Sequence, residues 1–173
     1  MIQPPPRTIL EVFESLPEGT LAQVISNNLV MIPAPDFHHQ DIVFELARQL
    51  GNFVIENDLG KVVGAPVDVY LNAENIYQPD VLFLSNERMH LVQNGKIKGA
   101  PDLIIEVLSP GTENFDKKVK KVAYEKSGVK EYWIVDPKTK QATGYQQSGS
   151  GFVEIASAQG VLVSPLLETT IRF

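Results

Sequence analysis

The sequence predicts an α/β protein in the broad sense, an α+β mixed sheet with helices packed on it. Three observations carry that prediction. Two runs, Leu103-Ile104-Ile105-Glu106-Val107-Leu108 and Glu131-Tyr132-Trp133-Ile134-Val135, read as strands covered on both faces. A segment of helical period separates them, and a longer helical segment precedes both. Strand, helix and strand in that order, with a long helix at the front, indicate helices lying on a mixed sheet. The chain has 173 residues, 43% hydrophobic and 21% charged, which suffices for one sizeable core and falls short of two ordinary domains. A single domain over 1–173 is expected, with 1–17 as an N-terminal helical extension.

Each element has its own justification. After the proline run Pro4-Pro5-Pro6, the stretch from Thr8 to Leu16 carries apolar residues at helical spacing and stops at Pro17-Glu18-Gly19. Leu21 to Ile25 and Leu29 to Ile32 flank Ser26-Asn27-Asn28, a hairpin signal ended by Pro33 and Pro35. From Phe37 to about Asn57, Ile42, Val43, Leu46, Leu50, Phe53 and Val54 recur at three- and four-residue steps, with Asp36 as an N-cap. Beyond Gly60 the texture turns to strands at Val62-Val63, Val67 to Leu71, and Tyr77 to Leu84. The helix from about 112 to 127 has Phe115, Val119, Val122 and Ala123 as its core stripe and Gly128 as its stop. The tail reads as short strands at Ala142–Tyr145, Phe152–Ile155 and Val161–Val163.

Composition excludes several function classes. With 15 basic and 21 acidic residues the formal charge is −6, which argues against coating nucleic acid through a broad basic surface. The charge is uneven. Lys117 to Lys130 holds six lysines and one glutamate, a net +5, and the rest of the chain, nine basic against twenty acidic, carries −11. That run is placed to grip a phosphate backbone beside an adjacent site, although such a run can equally be a solvated face. The absence of cysteine removes disulfides, thiolate zinc sites and cysteine nucleophiles. No apolar run approaches the length of about 18 residues that crosses a bilayer, and the first residues lack the pattern of a secretory signal. A cytoplasmic protein with no membrane partner is expected. No G-x-G-x-x-G, P-loop or G-x-S-x-G motif occurs.

Two carboxylates interrupt apolar strands. Asp80 heads Val81-Leu82-Phe83-Leu84, and Glu106 sits inside Leu103–Leu108. A carboxylate desolvated in a strand centre costs several kcal/mol unless it is paired, hydrogen-bonded or bound to a cation. Two in neighbouring strands suggest a divalent cation site, which could clamp a phosphodiester and activate a water. Each could instead face solvent at an edge or pair with a lysine.

Four ordered motifs then carry a resemblance. They are Gln78-Pro79-Asp80-Val81-Leu82-Phe83, Gly99 to Pro110 around Glu106, Asp116 with Lys120 and Tyr124, and Gly128 to Pro137. Together they resemble the Uma-two family, domain of unknown function 820, within the PD-(D/E)XK restriction-endonuclease-like superfamily. The likeness runs from about Leu16 to Tyr145 and implies a restriction-endonuclease-like core. It implies that Asp80 and Glu106 are metal-binding acids and that the cofactor is Mg2+ or Mn2+. Two residues beyond the second acid the usual pattern has lysine, and this chain has Leu108. The resemblance offers Lys120 from the next helix as the replacement amine, with Lys121 as a neighbour that could serve instead.

Steps of four place Asp116, Lys120 and Tyr124 on one helical stripe, bordering the apolar one. The plainer reading of Lys120 is a solvated lysine paired with Asp116, worth about 0.3–0.5 kcal/mol. Possible supporting residues are Asp102, His39, Glu45 and Tyr124. Asp102 reads as a turn cap or a residue behind the metal ligands, and Tyr124 as a packing residue or an acid. His39, implied to lie on the active-site side, is a candidate for substrate or phosphate contact, and Glu45 a candidate extra carboxylate on the first long helix. In many relatives the first hairpin strand carries a glutamate where this chain has Gln23, whose carbonyl could coordinate without bringing charge.

The expected function is metal-dependent hydrolysis of DNA phosphodiester bonds by an endonuclease, with nucleic acid as partner and a homodimer as the working form. Two alternatives stand beside it: a nuclease-like fold that binds nucleic acid or a protein without cutting, and a structural or oligomerising protein.

Overall fold

The fold is described from a computed structural model covering residues 8–111 and 113–173. The proline run and Thr112, the expected start of the second long helix, lie outside the described residues. Two mixed six-stranded sheets form the body. The first is ordered β12-β11-β10-β9-β6-β3: Gly151–Gln159, Gln141–Ser148, Glu131–Val135, Leu103–Val107, Val81–Ser85 and Gly60–Gly64. Within it β9 and β10 run parallel, as a connection through a helix requires, and every other pair is antiparallel.

The second sheet is ordered β2-β1-β5-β4-β8-β7: Asn28–Met31, Ala22–Ile25, Asn75–Tyr77, Val69–Asn72, Lys96–Lys98 and Val92–Gln93. Its first hairpin turns through Ser26 and Asn27, both at positive φ (49° and 60°), which matches the twist of the paired strands. A short hairpin, β13 (Val161–Ser164) with β14 (Thr169–Arg172), closes the chain. The sequence reading did not separate the two sheets, and it missed β7, β8, β14 and a 3-10 helix at Asn86–Leu91.

Side-chain alternation sorts the core into two layers around the first sheet. Leu103, Ile105 and Val107 of β9 face the helix α2 (Phe37–Glu56), whose Ile42, Val43, Leu46, Leu50 and Val54 fill that layer. The alternate residues, Ile104 and Leu108, face the other way, into a layer shared with α3 (Lys121–Ser127) and with Tyr77, Val69 and Ile25 of the second sheet. Glu106 has the parity of this second layer. The N-terminal helix α1 (Ile9–Glu14) is set by a Thr8/Glu11 capping box and packs Phe13 on the outer face of the second sheet.

The second long helix departs from the expected winding. Phe115–Lys120 forms a π-helical turn ahead of α3, which Gly128 ends at φ 87°. The expected apolar stripe is only half-buried at Phe115, Val119 and Ala123, and Val122 is exposed. Asp116, Lys120 and Tyr124 form the buried stripe instead. Wider winding turns the polar residues inward, where the sheet holds a buried carboxylate to meet them.

Gly144 of β11 lies opposite Trp133, and a Cβ there would stand 2.5 Å from the ring of that fully buried side chain. Gly144→Ala is therefore expected to lower unfolding free energy by about 1–3 kcal/mol, the cost of overpacking a filled core. A urea melt checks it; an unshifted midpoint would show that Trp133 has room to move.

Candidate active site

A cleft of about 980 Å³ opens where the N-terminal end of α2, the head of β6, the end of β9 and the π turn meet, and it holds Gln23, His39, Asp80, Glu106 and Lys120. Strand register explains the pairing of its acids. Val81 lies opposite Ile105, so one more step places Asp80 across from Glu106. The backbone of Val107 ties this pair to α2. Its N–H donates to Asp80 Oδ2 at 2.7 Å, and its carbonyl accepts from His39 Nε2 at 2.9 Å. His39 Nε2 also stands 3.4 Å from Asp80 Oδ2.

The ring is set in place locally, because Asp36 caps α2 by accepting from the His39 backbone N–H at 2.9 Å. Burial works against a charged imidazole, but Asp80 and the Val107 carbonyl outweigh it and hold the His39 pKa above its usual range. Its Nδ1 is buried and finds no hydrogen-bond partner among the described residues.

Glu106 sits at the cleft floor. Lys120 Nζ at 3.1 Å and the Tyr124 hydroxyl at 2.7 Å both converge on its Oε1. Lys120 is only 1% exposed and also contacts Asp116 Oδ1 at 2.8 Å. Tyr132 donates to the Asp116 carbonyl at 2.9 Å, which anchors the π turn to β10. Burial pushes the Glu106 carboxyl up to about 8; the Lys120 ammonium opposes this, and the negative charges of Asp116 and Asp80 reinforce it. Lys120 is held above its usual value, since burial is overcome by Glu106 and Asp116 together. Burial and Glu106 raise Tyr124 well above its usual value, so the phenol stays protonated as a donor to the carboxylate.

The structure brings some of the expected residues together and not others. Asp80, Glu106, Lys120, Tyr124 and His39 form one connected group. Asp116 joins it as the second partner of Lys120. Gln23 enters from β1, sharing the parity of Ile25; it is 3% exposed, and its Oε1 has no partner among the described residues. Leu108 packs into the apolar layer, so no amine occupies the position two residues past Glu106. Lys121 points elsewhere, 3.5 Å over the Tyr145 ring.

Asp102 lies at the opposite end of β9, accepting from Ser85 N–H at 2.8 Å and contacting Lys130 at 2.7 Å and Arg88 at 3.3 Å. Burial disfavours its charge, but these donors prevail and hold its pKa low, so Asp102 is a structural tie between strands. Glu45 faces outward on α2 in an ion pair with Arg48 at 2.6 Å and does not line the cleft. The lysine run is dispersed as well. Lys117 pairs with Glu113, Lys130 with Asp102, and Lys118 and Lys126 line a separate hollow of about 400 Å³. Of the six, only Lys120 lines the main cleft, so the expected phosphate-gripping patch is not assembled there.

Comparison with known proteins follows the same outline. A family model, Uma2, described as "Putative restriction endonuclease", matches residues 10–171. Among solved structures, the crystal structure of "a putative nuclease belonging to DUF820" from Anabaena variabilis ATCC 29413 superposes with a TM-score of 0.76 at 18% identity, covering 94% of this chain and 92% of that one. Among curated proteins nothing matches. No helix among the described residues is long and apolar enough to cross a membrane.

Proposed function

This chain belongs to the Uma2 family, and from that premise we propose that it is a Mg2+- or Mn2+-dependent endonuclease hydrolysing phosphodiester bonds of DNA. The observation that carries the reading is the convergence of Asp80 and Glu106 from adjacent strands in one cleft, with a buried lysine on the second acid. The donor set suits a hard divalent cation. Carboxylate oxygens from Asp80 and Glu106 would hold it, and the buried Gln23 Oε1, with no donor among the described residues, supplies an oxygen to face a cation or its water. Such an ion, when bound, stabilises charge on the phosphoryl oxygens and lowers the pKa of a coordinated water.

The side chains divide the remaining work. Tyr124 and Lys120 orient Glu106 by holding Oε1. Asp116 fixes the Lys120 amine at the cleft wall, where its charge offsets that of the two acids. The Val107 N–H keeps Asp80 Oδ2 in register with Glu106. Cutting both strands of a duplex at one place calls for two such clefts, so a homodimer is part of the reading.

The test is cleavage of plasmid DNA with Mg2+ or Mn2+. Loss of cutting on chelation, and in a folded Asp80→Asn variant, is expected. Equal cutting by that variant would overturn the reading. A second reading, binding of nucleic acid without cleavage, draws on one observation: Lys120 is saturated by two carboxylates and scarcely exposed. Binding that persists without metal and in Asp80→Asn, with no cutting by either protein, would select it.

A further inference from the structure

Resting on the metal-site reading above, we propose that His39 is a direct imidazole ligand of the cation, making the site selective for Mn2+ and later transition ions over Mg2+. The argument is geometric. In an octahedral site with bonds of about 2.0–2.1 Å, neighbouring ligand atoms stand √2 times that distance apart, about 2.8–3.0 Å. His39 Nε2 lies 2.9 Å from the Val107 carbonyl oxygen and 3.4 Å from Asp80 Oδ2. The nitrogen thus stands at ligand-to-ligand spacing from the carbonyl oxygen, and the carboxylate oxygen lies slightly beyond that spacing.

The elements holding these atoms are independently fixed. Asp36 anchors the first turn of α2, and the Val107 N–H anchors Asp80 Oδ2 at 2.7 Å. Among the described residues no three His, Asp or Glu side chains form a ready-made cluster; the convergence is of two side chains and one backbone carbonyl.

Position decides which nitrogen can serve, since Nε2 is the one that stands beside Asp80 and the Val107 carbonyl. Without an ion, Nε2 carries the hydrogen it donates to Val107. Coordination would require Nε2 to give up that hydrogen to Nδ1, which is bound to no group among the described residues, and the bond to the cation would replace the lost hydrogen bond to Val107. A hydrogen bond made only to position a ring would not require the ring to stand on a carboxylate that already has its own N–H donor. Imidazole binds late first-row ions better than it binds Mg2+, whereas an all-oxygen site has no such bias.

The experiment uses Mn2+ and Mg2+ alone, without nucleic acid. Calorimetric titration of the intact protein is expected to give tighter Mn2+ than Mg2+ binding, and His39→Gln should weaken Mn2+ by about tenfold or more while changing Mg2+ less. Pulsed electron paramagnetic resonance of the wild-type Mn2+ complex should show 14N coupling that survives His38→Gln and disappears in His39→Gln. The wild-type spectrum requires no variant to fold. Mn2+ binding that Asp80→Asn abolishes, with no nitrogen coupling in the wild type, overturns the His39 assignment and leaves the acid site standing. No Mn2+ binding by the wild type overturns both.

Discussion

Glu106→Gln is expected to reduce metal-dependent cleavage by about three orders of magnitude, the scale of several kcal/mol of lost charge stabilisation at the reacting phosphate. The variant should nevertheless fold, because the amide keeps an oxygen for Lys120 and Tyr124. It should also change the pH dependence of stability, with a sign that follows from linkage. The folded Glu106 carboxyl is raised from its usual value to about 8. Its neutral form is therefore the one the fold favours, and that contribution is fully present below about pH 4.5 and is lost as pH rises toward 8. His39, also raised, acts in the same direction. Wild-type unfolding free energy should fall between pH 5 and pH 9 by on the order of 2 kcal/mol. Glu106→Gln should flatten most of that slope. Urea melts across this range decide it; a slope identical in the two proteins would mean that Glu106 titrates normally.

Lys120→Met should cost about 3–5 kcal/mol, because it leaves Glu106 and Asp116 buried without their shared cation. The loss should grow from pH 6 to pH 9, since protonation of Glu106 relieves it at the acid end. Adding Asp116→Asn to Lys120→Met should recover part of the stability without restoring cleavage. Full stability in Lys120→Met alone would indicate that water reaches the π turn and screens the pair.

The sequence made the two apolar strands and the long helix legible because their patterns are local: β9 and β10 are unbroken apolar runs, and α2 repeats at helical steps from a clear Asp36 cap. Asp80 and Glu106 were visible as violations of such runs. What stayed hidden depends on distant partners. Steps of four from Asp116 to Tyr124 fit an α-helix, so nothing local announces the π turn that buries them. The pairing of β1 with β5 and of β4 with β8 joins segments far apart in sequence, which alternation alone cannot match. The lysine run shows a sum of charge and not its directions; Lys117, Lys121 and Lys130 each found a different neighbour. The pairing of Asp116 with Lys120 was legible as the acid four residues before the amine, but its burial was not. Gln23 was noted only through the resemblance, and its missing partner is visible only in three dimensions.

The backbone of Val107 touches both Asp80 and His39, through an N–H and a carbonyl that every residue except proline supplies together. A library of side-chain replacements at 107 would therefore leave this junction intact as long as the strand holds, and a scan scored on activity would report the position as tolerant. Only Val107→Pro removes the donor, and replacing the 107 amide by an ester removes it without disturbing the chain's path. The part of the site that fixes the spacing of its two flanks is thus inherited with the strand and is nearly invisible to selection on residue identity.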